Sequence, residues 1–397
     1  MTTSLDTLRA GAVALGALLL AGCGGEAGPW TSRELATPAP PGALYPALAA
    51  AGGDGIWLSW LEEPPDGPTS IQIARYDGDG WSGPFSVHEG DGILVNWADF
   101  PAPAVLGDGT LAMQWRVEAP IGEFGYGARI AFSADGGRTW SEPRRIHDDG
   151  DGGAEHGFVS TLPAGRSGLG TAWLDGRSLA RGGGMELRYR LWERGTPGAE
   201  RVLDDDVCTC CNTAAAHLGD RSWIAYRDHT AGEVRDIRVV EIASGVSTSV
   251  SADGWTLAAC PVNGPGLAVA GDRLAAIWYT EAPPAPRVLV AFSTDAGLSF
   301  GEPLRVDDGA PVGRVDIAAL QTGEMVAVWM ERVAAGAEVR WRRIAADGTL
   351  RASQTAGPTK LERSAGFPRA VAAGDAVYLV WRRPPHPWEL ALVRLGR

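Results

Sequence analysis

Three of the five cysteines in this 397-residue chain fall within four positions, Cys208-Thr209-Cys210-Cys211. Packing gives no reason to crowd sulfur in this way. Cysteine is used for crosslinks or for thiolate chemistry. A fourth, Cys260, follows in a later loop, and Cys23 lies far upstream. Two chemistries fit the set. One is a disulfide, most simply from Cys260 to one of the three, with the remaining pair bonded to each other or free. The other is a thiolate centre for Cu(I) or Zn(II) on Cys208, Cys210, Cys211 and Cys260, with His229 or His156 adding a nitrogen. Cys-x-Cys-Cys departs from the paired Cys-x-x-Cys of zinc modules, and no His-Glu-x-x-His motif supports hydrolytic zinc. An oxidising compartment favours the crosslink.

Carboxylates and arginines form a second candidate set. Glycoside hydrolysis needs two carboxylates across a cleft. Asp99, Asp175, Asp228 and Asp316 are candidates, and spacing singles out no pair. His156, Arg177, Arg227, Arg235, Asn263 and Arg314 are candidates for holding a polar, anionic or sugar-like ligand. The same Arg and Asp residues could equally be ion pairs locking neighbouring elements.

The elements that must position these residues are short strands. Gly (54) and Trp (16) are abundant, lysine is nearly absent, and long helical patterns are missing. One unit recurs: a lead-in loop, an apolar strand, a Gly/Asp turn, and a strand ending in an aromatic and a polar pair. The aromatic residues are Trp60, Trp115, Trp173, Tyr226, Trp278, Trp329 and Trp381. Their spacing, with about four strands per unit, predicts an all-β fold, a single β-propeller of four-stranded blades. Seven blades are expected, with six as the rival count. The last unit lacks a fourth strand, and Pro29–Leu35 reads as the missing one, closing the ring without a free edge. The propeller is therefore assigned to 30–397. Cys208–Cys211 falls in the loop leading into blade four and Cys260 in the loop leading into blade five. Neighbouring blades would place both loops on one rim.

The N-terminus reads as a targeting segment. Arg9 is followed by the apolar run Ala10–Ala21, too short to span a bilayer comfortably, and then by Leu20-Ala21-Gly22-Cys23. This resembles the lipobox of bacterial lipoproteins. The resemblance implies a signal peptide over 1–22, a lipidated Cys23, a short linker over 23–29, and anchoring to the cell envelope. By the same resemblance Gly24 favours the outer membrane of a Gram-negative host. The net charge of −13 makes nucleic acid a poor partner and leaves the anchor as the only membrane contact. A monomer is expected.

Two turns share Ser-x-Asp-x-Gly-x-Ser/Thr-aromatic: Ser133 to Trp140 and Ser293 to Phe300. The Asp can accept the turn's own amides, and the Gly permits positive φ. The pattern resembles the Asp box of sialidase-like, BNR-repeat propellers. That resemblance makes Asp135 and Asp295 structural and places them on the face opposite the active site. The chain departs from sialidases where their arginine motif would stand, at Leu44-Tyr45-Pro46-Ala47, and in blade number. True sialidase activity is therefore not expected. Cys-x-Cys-Cys-x-Thr-Ala, Cys-Pro-Val-Asn-Gly-Pro and Glu-His-Gly-Phe together look like a group of exported bacterial Asp-box proteins. The leading expectation is an anchored propeller binding a polar small molecule or glycan, needing no cofactor, with exo-glycosidase chemistry as its enzymatic version. The alternatives are the Cu or Zn thiolate centre and a scaffold for another envelope protein.

Overall fold

All seven apolar runs of the repeat form the second strand of a four-stranded antiparallel sheet in the computed structural model: Gly55–Glu62, Leu111–Glu118, Gly168–Asp175, Arg221–Arg227, Arg273–Thr280, Met325–Val333 and Ala376–Arg383. The structure describes residues 30–120, 125–150 and 153–397; Cys23, the segment before it and the linker to residue 29 lie outside them. The seven sheets form the blades of a propeller, so the rival count of six does not apply. The third blade carries an additional short strand, Thr196–Pro197, beside its outer strand Arg201–Val207. Among the described residues no helix is long and apolar enough to cross a membrane.

The second strands are apolar on both faces because a blade interior is packed on both sides. Gly168–Asp175 is buried at every position. Apolar clusters form between neighbouring blades, for example Ile277 and Val290 of blade five with Ile317 and Ala327 of blade six. Trp60, Trp115, Trp173, Tyr226, Trp278, Trp329 and Trp381 are all at most 2 % exposed and occupy these interfaces. Removing one such side chain costs about 3–5 kcal/mol. Three of them also bond within their own strand. Trp60 donates to Glu62 (2.7 Å), Trp173 to Asp175 (2.7 Å) and Trp329 to Glu331 (2.6 Å). Residues two apart share a strand face, so this pairing follows from strand geometry.

The ring closes as the sequence predicts. Thr31–Leu35 pairs antiparallel with Glu389–Gly396, from Thr31 opposite Gly396 to Leu35 opposite Leu392. Arg383 adds an ion pair to Glu34 at 2.6 Å.

At the axis the innermost strands share a device that the repeat does not reveal. In blades one, three and six the pairing slips near the strand start, between Leu44 and Ala47, Gly157 and Ser160, and Gly313 and Asp316. Tyr45 (φ 41°), Phe158 (φ 51°) and Arg314 (φ 51°) sit in these bulges in a left-handed conformation. The freed amides of two of them are captured from the preceding blade. Phe158 N–H donates to Asp99 Oδ2 at 2.7 Å, and Arg314 N–H donates to Asn263 Oδ1 at 2.6 Å. At these two positions a glycine before the left-handed residue makes room. A Cβ on Gly157 would strike the Asp99 carboxylate, and one on Gly313 would strike the Asn263 amide.

The two Ser-x-Asp turns connect third and fourth strands on the opposite end of the propeller. Asp135 accepts from Thr139 N–H (2.9 Å), Thr139 Oγ1 (2.7 Å) and Ser133 Oγ (2.9 Å). Asp295 repeats the pattern with Ser299 N–H (2.9 Å), Ser299 Oγ (2.6 Å) and Ser293 Oγ (2.7 Å). The Thr139 and Ser299 bonds, aided by the serines, hold both carboxyls down at about 2. An unfolded Asp titrates near about 4, so each turn contributes stability that is complete above that pH and is lost as pH falls through about 2. Asp135→Ala and Asp295→Ala should each lower the melting temperature at neutral pH, with the deficit shrinking on acidification. A deficit of equal size at about pH 2.5 and pH 7 in calorimetry would contradict this account.

Candidate functional site

The axial cavity is about 250 Å³ and takes lining residues from every blade. Ser160, Thr161, Thr213, Gln114 and Arg369 contribute polar groups, while Phe100 and Phe158 contribute apolar faces. The Asn212 side chain donates to Ala98 O at 2.6 Å, yet its buried Oδ1 has no partner among the described residues. Gln114, Thr161 and Arg369 were missed by sequence reasoning. Gln114 had a signal, a lone polar side chain inside the apolar run Leu111-Ala-Met-Gln-Trp.

Two of the four candidate carboxylates line this cavity, and both are engaged by the chain itself. Asp99 pairs with Arg116 Nε at 2.8 Å through one oxygen and holds Phe158 N–H through the other. Asp316 accepts Ile317 N–H (2.9 Å) on one oxygen and Ala370 N–H (2.9 Å) on the other, with Arg369 Nε at 3.3 Å. Asp175 lies away from the axis and is fully buried. It receives Trp173 (2.7 Å), Arg177 Nε and Nη2 (2.7 Å each) and His156 Nδ1 (3.1 Å). Burial pushes its carboxyl up, but the bonds from His156, Arg177 and Trp173 outweigh this and hold it far below the usual carboxylate range.

The candidate binding residues divide in the same way. His156 is buried, stacked on His147 with ring centres 3.6 Å apart. Arg177 bridges Asp175 and Glu200. Arg314 donates to the carbonyls of Glu362 (3.2 Å) and Gly366 (2.8 Å) and lies over the Trp97 ring at 4.7 Å. Burial pushes its guanidinium down to about 10. Asn263 and Asp99 stitch blades together, as described above. None of His156, Arg177, Arg227, Arg235, Asn263 and Arg314 lines the axial cavity.

The cysteines gather on the rim between blades three and four. Cys208 Sγ lies 3.3 Å from Cys211 Sγ and 4.0 Å from Cys210 Sγ, and all three sulfurs lie within 4.8 Å of one another. All four described cysteines are free thiols, so the structure contains none of the expected crosslinks. The structure brings together three of the five proposed metal ligands. Cys260 is exposed, with its sulfur 3.6 Å from Thr209 Oγ1. His229 turns Nδ1 to Asp206 (2.6 Å) and Nε2 to Glu233 (3.4 Å), both carboxylates. Hydrogen bonds from Cys210 and Cys211 push the Cys208 thiol down. Its own bonds to Cys208 and Cys211 push Cys210 up, and burial pushes Cys211 up. Arg227, 2 % exposed, lies behind the loop and donates to the carbonyls of Asn263, Arg235 and Tyr279. Arg235 lies on the same side, with Glu233 at 2.5 Å.

No protein-family profile matches the chain, and no curated protein sequence matches it. Solved structures share its fold. The BP39L lectin from Burkholderia pseudomallei superposes with a TM-score of 0.60 at 11 % identity, covering 87 % of this chain and 94 % of the lectin. Polysaccharide lyase Uly1 gives 0.53 at 9 % identity, over 88 % of this chain and 89 % of the lyase. A PL25 ulvan lyase gives 0.52 at 8 % identity, over 88 % and 90 %. At these identities the likeness is one of fold alone.

Asp228, the remaining carboxylate, behaves differently from the others. Burial, reinforced by Asp204, pushes it up to about 6 despite Arg238 at 3.9 Å. The folded state therefore holds a proton on it between about pH 4 and 6 that the unfolded chain has released. Its ionisation weakens the fold as pH rises through that window. Asp228→Asn should raise the unfolding free energy by about 1–2 kcal/mol at pH 7.5 and leave it unchanged at about pH 4. Urea unfolding at the two pH values checks this, and an equal effect at both would refute it.

Proposed function

We propose that the protein is a lipid-anchored extracytoplasmic propeller that binds a small polar, glycan-type ligand in its axial cavity. The observation that carries the reading is the cavity's lining. Hydroxyls, amides and a guanidinium converge from several blades, and two phenylalanine rings supply apolar faces. A sugar offers the complement: hydroxyls that donate and accept around its edge, and C–H groups on its faces that pack on aromatic rings. That a lectin and polysaccharide lyases use the same fold supports the choice of ligand class. Binding is favoured over hydrolysis because Asp99 and Asp316, the carboxylates lining the cavity, have both oxygens bonded to the chain itself. Neither is free to hold a water or protonate a leaving group.

The test is a titration of mono- and oligosaccharides, neutral and acidic, followed by saturation-transfer NMR and calorimetry. Wild type should bind at least one class. Thr161→Phe, which fills the cavity, should abolish that binding while the melting temperature stays within a few degrees. Binding that survives Thr161→Phe would move the site elsewhere. Release of aryl leaving groups that Asp99→Asn or Asp316→Asn eliminates would replace the binding reading with hydrolysis.

Anchoring has its own check. Mass spectrometry of the mature N-terminus should find a diacyl- or triacyl-modified Cys23, and Cys23→Ser should move the protein from the membrane fraction to the soluble one. An unmodified N-terminus at another residue would remove the anchor from the proposal.

A further inference from the structure

The sulfur trio is a site separate from the axial cavity, and the sugar reading makes no use of it. We propose that Cys208, Cys210 and Cys211 form a three-coordinate thiolate site for Cu(I). A metal bonded to three sulfurs at about 2.3 Å holds them about 4 Å apart in a trigonal arrangement. The sulfur separations here, from 3.3 Å and 4.0 Å up to the 4.8 Å limit, bracket that value. One ion can therefore reach all three with shifts of a few tenths of an ångström.

The ligand set decides between metals. Structural Zn(II) takes four ligands in a tetrahedron. A fourth is missing here among the described residues: His229 faces Asp206 and Glu233, and Cys260 faces Thr209 outside the trio. Three soft sulfurs with no nitrogen or oxygen partner select Cu(I). Charge points the same way. Cu(I) with three thiolates carries two negative charges. Arg227 donates only to carbonyls, so one guanidinium charge without a carboxylate partner stands next to the site, and Arg235, paired with Glu233, lies beside Cys208. Binding releases the thiol protons to solvent, and no electron is transferred. Access is provided over Cys210, the partly exposed member of the trio, and past Thr209. Thr209 borders two grooves of about 440 Å³ each, both of which also contain Met185.

The full chain, purified without oxygen, should take one equivalent of Cu(I) from a chromophoric Cu(I) chelate. X-ray absorption should then show three sulfur neighbours and no nitrogen or oxygen neighbour. Cys210→Ser, at the most exposed of the three positions, should lower Cu(I) affinity at least about 100-fold with an unchanged melting temperature. Cys260→Ser and His229→Ala should leave stoichiometry and affinity unchanged. The proposal is overturned if protein with four reactive thiols leaves the Cu(I) in the chelate. It is equally overturned if Cys260→Ser or His229→Ala removes binding, or if Zn(II) alone binds more tightly than Cu(I) with four protein ligands. None of these outcomes bears on the sugar titration, so the two sites stand or fall separately.

Discussion

The innermost strand of every blade pairs on one edge only. Its other edge faces the axis, where the next backbone is another blade's innermost strand. Buried amides must find acceptors, and here they find them in side chains of the neighbouring blade. Asp99 serves Phe158, Asn263 serves Arg314, and Asp316 serves Ala370. Thr213 hydroxyl donates in the opposite sense, to the Phe158 carbonyl at 2.9 Å. The left-handed bulges belong to the same solution. Those at Phe158 and Arg314 turn one amide sideways toward the preceding blade, and the adjoining glycine lets the capturing side chain approach. The strain of a positive φ is offset by a bond that also fixes the angle between blades.

This constraint explains what could and could not be read from the residues alone. The blade number was legible because an aromatic at the end of every second strand must fill the gap to its neighbour, and that requirement repeats with the blade. The closing strand was legible because the last blade visibly lacked an outer partner for Glu389–Gly396. The role of the polar rim was not. Asp, Asn and Arg are the residue types that bind a sugar, and they are also the types that capture a stray amide or carbonyl. Only the distances separate Asp99, committed to Arg116 and Phe158, from a general base. The cysteines show the other limit. Adjacent lead-in loops suggested that Cys260 would meet the trio. Its loop instead runs through Pro261 and a left-handed Val262 (φ 47°), and its sulfur stays at the surface.

Buried arginines act as spokes around the rim. Arg116, Arg227 and Arg382 stand at the ends of second strands and are almost fully buried. Arg382 lies over the rings of Tyr45 and Trp388, and Arg227 over Trp255 at 4.8 Å. The planar guanidinium makes this possible. It can donate to several loop carbonyls while stacking on an indole, where lysine could satisfy only a point contact. That preference fits a chain almost without lysine. It also leaves positive charge beneath the rim, against which the cysteine loop is laid.

The closing pair joins residues 365 positions apart. A chain made from its N-terminus presents its first strand long before the partner exists. Until residues 389–396 emerge, the first and last blades present bare edges and the axial cavity has a missing wall. The ring thus matures in one late step, and contacts of such long separation form slowly. A cavity lined from all seven blades is therefore either whole or missing a wall, and its wall is completed with the closing strand rather than blade by blade.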